Sequence, residues 1–107
     1  MIPGMDLGGF KKQAAQMQQN LERLEAEMKE RIVDATAGGG MVVAKASGAP
    51  EIVDVKIDPQ VINPDDKGML EDLVIAAVNE ALKKAKEMRQ TEMQKIMGPM
   101  AGLSGLF

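Results

Sequence analysis

Between residues 10 and 31 the apolar positions Phe10, Ala14, Met17, Leu21, Leu24 and Met28 recur at steps of four and three. That spacing predicts a helix with a narrow coiled-coil seam, not the wider stripe of a helix lying on a globular core. Such a helix needs another helix beside it. At residue 32 the period changes. Three β-branched runs, "IVDATA", "MVVAKAS" and "EIVDVKID", are separated by the turn signals "GGG" and "SGAP". In the third, Val53, Val55 and Ile57 alternate with Asp54 and Lys56, the mark of a strand with one buried face. A three-stranded antiparallel meander is expected, with Val33, Ala35, Val42, Ala44, Val53 and Val55 on its inner face.

"DPQVI" then predicts one short helical turn, because Asp58 stands directly before Pro59. "NPDDKGMLEDL" is a second helix start: Asn63 can cap, Pro64 suits the first turn, and Asp65 and Asp66 complement the dipole. Gly68 is unfavourable inside a helix by about 1 kcal/mol, which puts the regular start near Asp66 or Lys67. Leu70, Leu73, Val74, Ala77, Val78, Ala81, Leu82 and Ala85 form a broad face able to cover the sheet. Beyond Ala85 the face thins to Met88, Glu92 and Ile96. A break is expected at Gly98-Pro99, with a mobile tail over 98–107 and an ordered core over 9–97 of a single domain.

The order helix, three strands, helix is an α+β fold with a three-stranded antiparallel sheet. The first helix ends where the sheet begins and the last starts just after it, so the ends near Lys11 and Lys95 can project together. From 66 to 97 the last helix runs about 48 Å, longer than a three-stranded sheet covers. Two open sheet edges and a narrow seam both call for a partner, and a homodimer with two-fold symmetry satisfies both.

Composition narrows the chemistry. The 107 residues include ten Met and only two aromatics, Phe10 and Phe107, so the core is aliphatic and Met suits the helix seams. There is no Cys and no His. That excludes disulfides, thiolate or imidazole metal sites and nucleophilic triads built on them. Gly38-Gly39-Gly40 lacks the following lysine of a phosphate loop and reads as a hairpin turn. Asp65, Asp66, Glu71 and Asp72 do not have calcium-loop spacing and read as a solvated helix start. No catalytic residue, metal, cofactor or small-molecule substrate is expected. "MIPGMDLGGFKK" is not a signal peptide, and the longest apolar run, "LVIAAV", is far short of the roughly 20 residues that span a bilayer. A cytoplasmic protein without membrane contact is the expectation.

The net charge is −3, unevenly spread. Residues 32–82 hold nine acidic groups against three basic ones, net −6, whereas residues 83–107 hold Lys83, Lys84, Lys86, Arg89 and Lys95 against Glu87 and Glu92, net +3. Residues 1–20 are net +1 through Lys11 and Lys12. Two readings fit. Basic residues near a helix C-terminus complement its dipole, and Lys83–Glu87 is an i,i+4 pair, so the charge can simply solvate a helix. Alternatively, basic arms on an acidic body grip a polyanion. Charge and periodicity alone lean to the first, since nucleic-acid binders are usually basic overall.

The stretches "FKKQAAQMQQNLERLEAEM", "GGGMVVAKASG", "VDVKIDPQVI" and "DKGMLEDLVIAAVNEALKKAKEM" closely resemble the YbaB/EbfC family of bacterial nucleoid-associated proteins, from about Gly9 to Met97. The resemblance implies a tweezer-like homodimer with projecting helices that binds double-stranded DNA, largely without strict sequence preference, in nucleoid organisation and gene regulation. By position it implies DNA contacts from Lys11, Lys12 and Gln13 on the first helix and Lys83, Lys84, Lys86 and Arg89 on the second, with Lys95 on the same projecting segment. It tips the balance toward basic arms. The chain lacks the proline-rich ending common in the family, and its arms hold few cations, which points to weak or salt-sensitive binding. A prefoldin-like chaperone clasp, or an adaptor for recombination or replication proteins docking on the acidic body, are the alternatives.

Overall fold

The computed structural model describes the backbone of residues 7–104 and the side chains of residues 8–98. Helix α1 (Leu7–Glu30) leads into strands β1 (Ile32–Ala37), β2 (Val42–Ser47) and β3 (Glu51–Ile57), two short 3-10 turns (Pro59–Val61 and Pro64–Asp66), and helix α2 (Lys67–Ser104). The strands form an antiparallel meander in the order β1-β2-β3. Gly38, Gly39 and Gly40, all at positive φ, make the first hairpin; consecutive left-handed residues are tolerable only without a Cβ. The Asp58 side chain accepts a hydrogen bond from the Gln60 N–H at 2.8 Å, and Asn63 does the same for Asp65 at 3.0 Å. Those two caps start the turns that reverse the chain into α2.

Helix α2 lies across β1 and β2 and scarcely touches β3. Ala77, Ala81 and Ala85, four apart and so on one face, meet Ala35, Ala44 and Ala46 of the sheet. Six of the eight buried residues in this cluster are alanines; Val42 and Val61 are the others. Small side chains let helix and sheet approach closely. They also make a thin core, since each buried methyl contributes only about 0.8 kcal/mol, against about 1.5–3 for a buried Val, Leu or Ile.

The expected inner face needs one correction. Ala46 pairs with Ile52 and Lys45 with Asp54, so Val53 is the extra residue of a β-bulge and is 52% exposed; Ile52 takes the inward place. Val55, opposite Ala44, keeps the inner face but stays partly exposed because α2 does not reach over β3. A second correction concerns the helix end. α2 continues through Gly98 and Pro99 to Ser104. Pro99 deprives the Lys95 carbonyl of its helical donor, but Lys95 is exposed, so water can serve that carbonyl. Of the tail expected to be mobile, residues 105–107 lie outside the described residues, as do 1–6.

Candidate nucleic-acid interface

Beyond the sheet, α1 and α2 run alongside each other in opposite directions, with Asn20, Arg23, Leu24 and Glu27 facing Glu92, Lys95 and Ile96 across a cleft of about 240 Å³. The molecule is accordingly elongated, 76 × 28 × 18 Å. Burial along the α1 seam fades outward: Met28 and Leu24 are buried, Leu21 and Met17 half-buried, Ala14 exposed, and Phe10 69% exposed. From Met28 to Lys12 the helix climbs about 24 Å.

The root of this arm is tightly tied. Gly48, in the β2–β3 turn, donates its N–H to the Met28 and Arg31 carbonyls at 2.8 and 3.0 Å, tying the turn to the end of α1, where the Met28 carbonyl also accepts from the Arg31 N–H at 3.3 Å. A Cβ at Gly48 would lie 2.8 Å from the Met28 carbonyl oxygen, so only glycine fits there. Arg89 Nη1 donates to Glu25 Oε2 at 3.0 Å and reaches the Gly48 carbonyl at 3.5 Å, while its Nη2 pairs with Glu25 Oε1. Just past the end of α1, Arg31 pairs with Glu92 of α2 at 3.0 Å, and Lys95 pairs with the same carboxylate at 3.0 Å. The hydrogen bond from Arg89 holds the Glu25 carboxyl below the usual carboxylate range. Lys95, and then Arg31, do the same for Glu92. Glu25 in turn keeps Arg89 more firmly protonated.

The eight cationic or amide positions expected from the sequence therefore divide. Lys11, Lys12 and Gln13 are exposed near the free end of α1, and neither lysine has a salt-bridge partner among the described residues. Lys83 and Lys86 are exposed on α2 and also unpaired among the described residues, on the side away from the alanine stripe. They lie level with Ala81 and Ala85, over the body, so they do not sit beside Lys11 and Lys12. Lys84 donates to the Asp34 carbonyl at 3.0 Å, Lys95 is held by Glu92, and Arg89 by Glu25. The charge sum along α2 did not reveal these partners. A signal for Arg89 was present, however: it continues the Ala77, Ala81, Ala85 series by one more step of four, which aims it inward.

Two helical arms leaving one sheet, with a tied root and exposed cations, define a small α+β protein whose helices extend beyond its sheet. The chain belongs to the YbaB/EbfC DNA-binding family, whose model matches residues 4–100. It is 48% identical over 104 residues to a nucleoid-associated protein of Acetivibrio thermocellus, covering 97% of this chain and 92% of that one. It is 50% identical over 105 residues to a nucleoid-associated protein of Thermodesulfovibrio yellowstonii, covering 94% and 92%. The fold is similar to the crystal structure of an uncharacterized protein from Helicobacter pylori, with a TM-score of 0.79 at 28% identity, covering 88% of this chain and 99% of that one. None of the described helices is long and apolar enough to cross a membrane.

Proposed function

We propose that this chain acts as a homodimer that binds double-stranded DNA through phosphate contacts from its arm cations, in nucleoid organisation and gene regulation. The observation that carries the reading is the pair Lys11 and Lys12, exposed near an arm's free end and without carboxylate partners among the described residues. They stand well away from the net −6 of residues 32–82. Family membership and the relatives' names support DNA as the partner. Lysines neutralise phosphates and release counterions without reading bases. Lys83 and Lys86 extend the positive surface along α2, and Gln13 adds a hydrogen-bonding group at the tip. Lys84 and Lys95 keep their charge but are anchored. Phe10 is the one aromatic among the described residues, too little for a stacking platform, which favours duplex over single strands.

The homodimer reading rests on the flank that α2 leaves open. Lys84 reaches β1, and Ile75 lies about 180° from it around the helix, on the flank turned away from β1. Ile75 is 57% exposed and Val55 37%, large apolar side chains left outside a thin alanine core. A second copy seated there would bury the larger side chains that one protomer leaves outside, and would cover the open β3 edge.

Mobility shifts on duplex DNA across a salt series test the assignment. Each phosphate contact contributes about −0.9 to the slope of log affinity against log salt. Across the two protomers K11Q/K12Q removes four lysines and is expected to flatten the slope by up to about 3.6, and K83Q/K86Q by a similar or smaller amount. Unchanged slopes would remove these lysines from the interface, and absence of binding at low salt would remove the function.

A further inference from the structure

Arg89 stands in the most basic segment of the chain, yet its guanidinium is directed into the root of the arm. It holds both oxygens of Glu25 on α1 and approaches the Gly48 carbonyl of the β2–β3 turn, so one α2 side chain joins three elements. A planar two-pronged contact of this kind restricts orientation as well as distance. Among the described residues no side chain further out does comparable work on α1, where Leu24 and Met28 are the last buried side chains before the helix runs outward. The direction of the arm is therefore set at its root. Lever arithmetic shows what that implies: a swing of about 10° at Met28 moves Lys12, about 24 Å away, by about 4 Å. The axial step between phosphates on one strand is about 3.4 Å, so a small error at the root takes a lysine out of register with its phosphate.

Resting on the DNA-binding reading above, we infer that Arg89 is a positioning residue, which through Glu25 and Gly48 sets the angle at which α1 presents Lys11 and Lys12, and is not itself a phosphate contact. The Arg31–Glu92 pair supports the same joint from the other side.

The two roles for Arg89 predict opposite signs for one substitution. E25Q removes a negative charge and releases Arg89. If Arg89 were a phosphate contact, E25Q would tighten duplex binding. As a positioning residue, its release weakens binding, by about three- to tenfold, a scale typical of coupled side-chain pairs. R89K separates the roles again: a lysine serves a phosphate as a point charge but cannot supply the fork, so it should behave like R89Q. The arm itself can be followed independently, because the protein has no cysteine. Spin labels at Q18C and Q94C, in labelled protein diluted into unlabelled, report the distance between α1 and α2 within one protomer. In E25Q and R89K that distribution should broaden or shift, while K83Q leaves it unchanged. Tighter duplex binding by E25Q, or an unaltered distance distribution in both clamp variants, would overturn the inference. If the unsubstituted protein fails to bind duplex at all, the DNA reading falls, and the distances still decide whether the clamp sets the arm.

Discussion

The root and the tip of the α1 arm carry similar side chains in opposite circumstances. At the root, Arg89, Arg31 and Lys95 all face carboxylates, Leu24 and Met28 are buried, and Gly48 is pressed against the Met28 backbone. Near the tip, Lys11 and Lys12 have no acidic partner among the described residues, and Ala14 and Phe10 are exposed. The same charge is thus paired within the molecule in one place and left without a carboxylate partner, among the described residues, in the other. Net charge per segment cannot separate these uses. Pairing geometry can.

The contrast is strongest for packing. A81L forces extra volume into the alanine-lined contact between α2 and the sheet and should destabilise the fold by about 3 kcal/mol. The identical change at the exposed tip, A14L, should stay within about 0.5 kcal/mol. Urea denaturation of the two variants measures the difference, and equal midpoints would contradict the close helix–sheet approach. Association is the next largest effect. V55D places a charge on the open β3 flank and should raise the dimer dissociation constant by tenfold or more, about 1.4 kcal/mol, in sedimentation equilibrium, whereas K12Q should leave it unchanged.

The smallest effect is on pH. Glu25 and Glu92 are held below the usual carboxylate range by the hydrogen bonds of Arg89 and Lys95, respectively. A carboxylate with a lowered folded-state pKa stabilises the fold above its unfolded value and loses that contribution as pH falls through the folded value. The arm should therefore stay fixed at neutral pH and loosen only below about pH 4. Spin-label distances across the root should broaden there, with little change between pH 5 and 8. Both carboxylates are partly solvated, so the accompanying loss of stability is small.

Much of this architecture could be read from the chain. β-Branched runs bounded by "GGG" and "SGAP" located β1 and placed β2 and β3 within one residue, because strand propensity and turn chemistry agree there. Asp58 and Asn63 announced the two turns through their caps. Val53 was misplaced because a bulge shifts the strand's period by one residue, and a two-residue alternation cannot register an extra residue in advance. Gly98-Pro99 suggested a stop, yet the helix continues to Ser104, since one missing hydrogen bond at the exposed Lys95 does not end it. Glu25 and Arg89 are 64 positions apart, so only the fold could bring them together. The inward direction of Arg89 was nonetheless implied by its place in the alanine series.

On the proposed function, duplex DNA meets the arms and not the acidic body. That can be tested by attaching a photocrosslinker at one engineered cysteine at a time, K12C near the tip, K86C on α2 and D65C on the body, and irradiating each with the same duplex. The arrangement described here predicts strong crosslinks from K12C, detectable ones from K86C, and none above background from D65C. Crosslinking from D65C equal to or greater than that from K12C would contradict it.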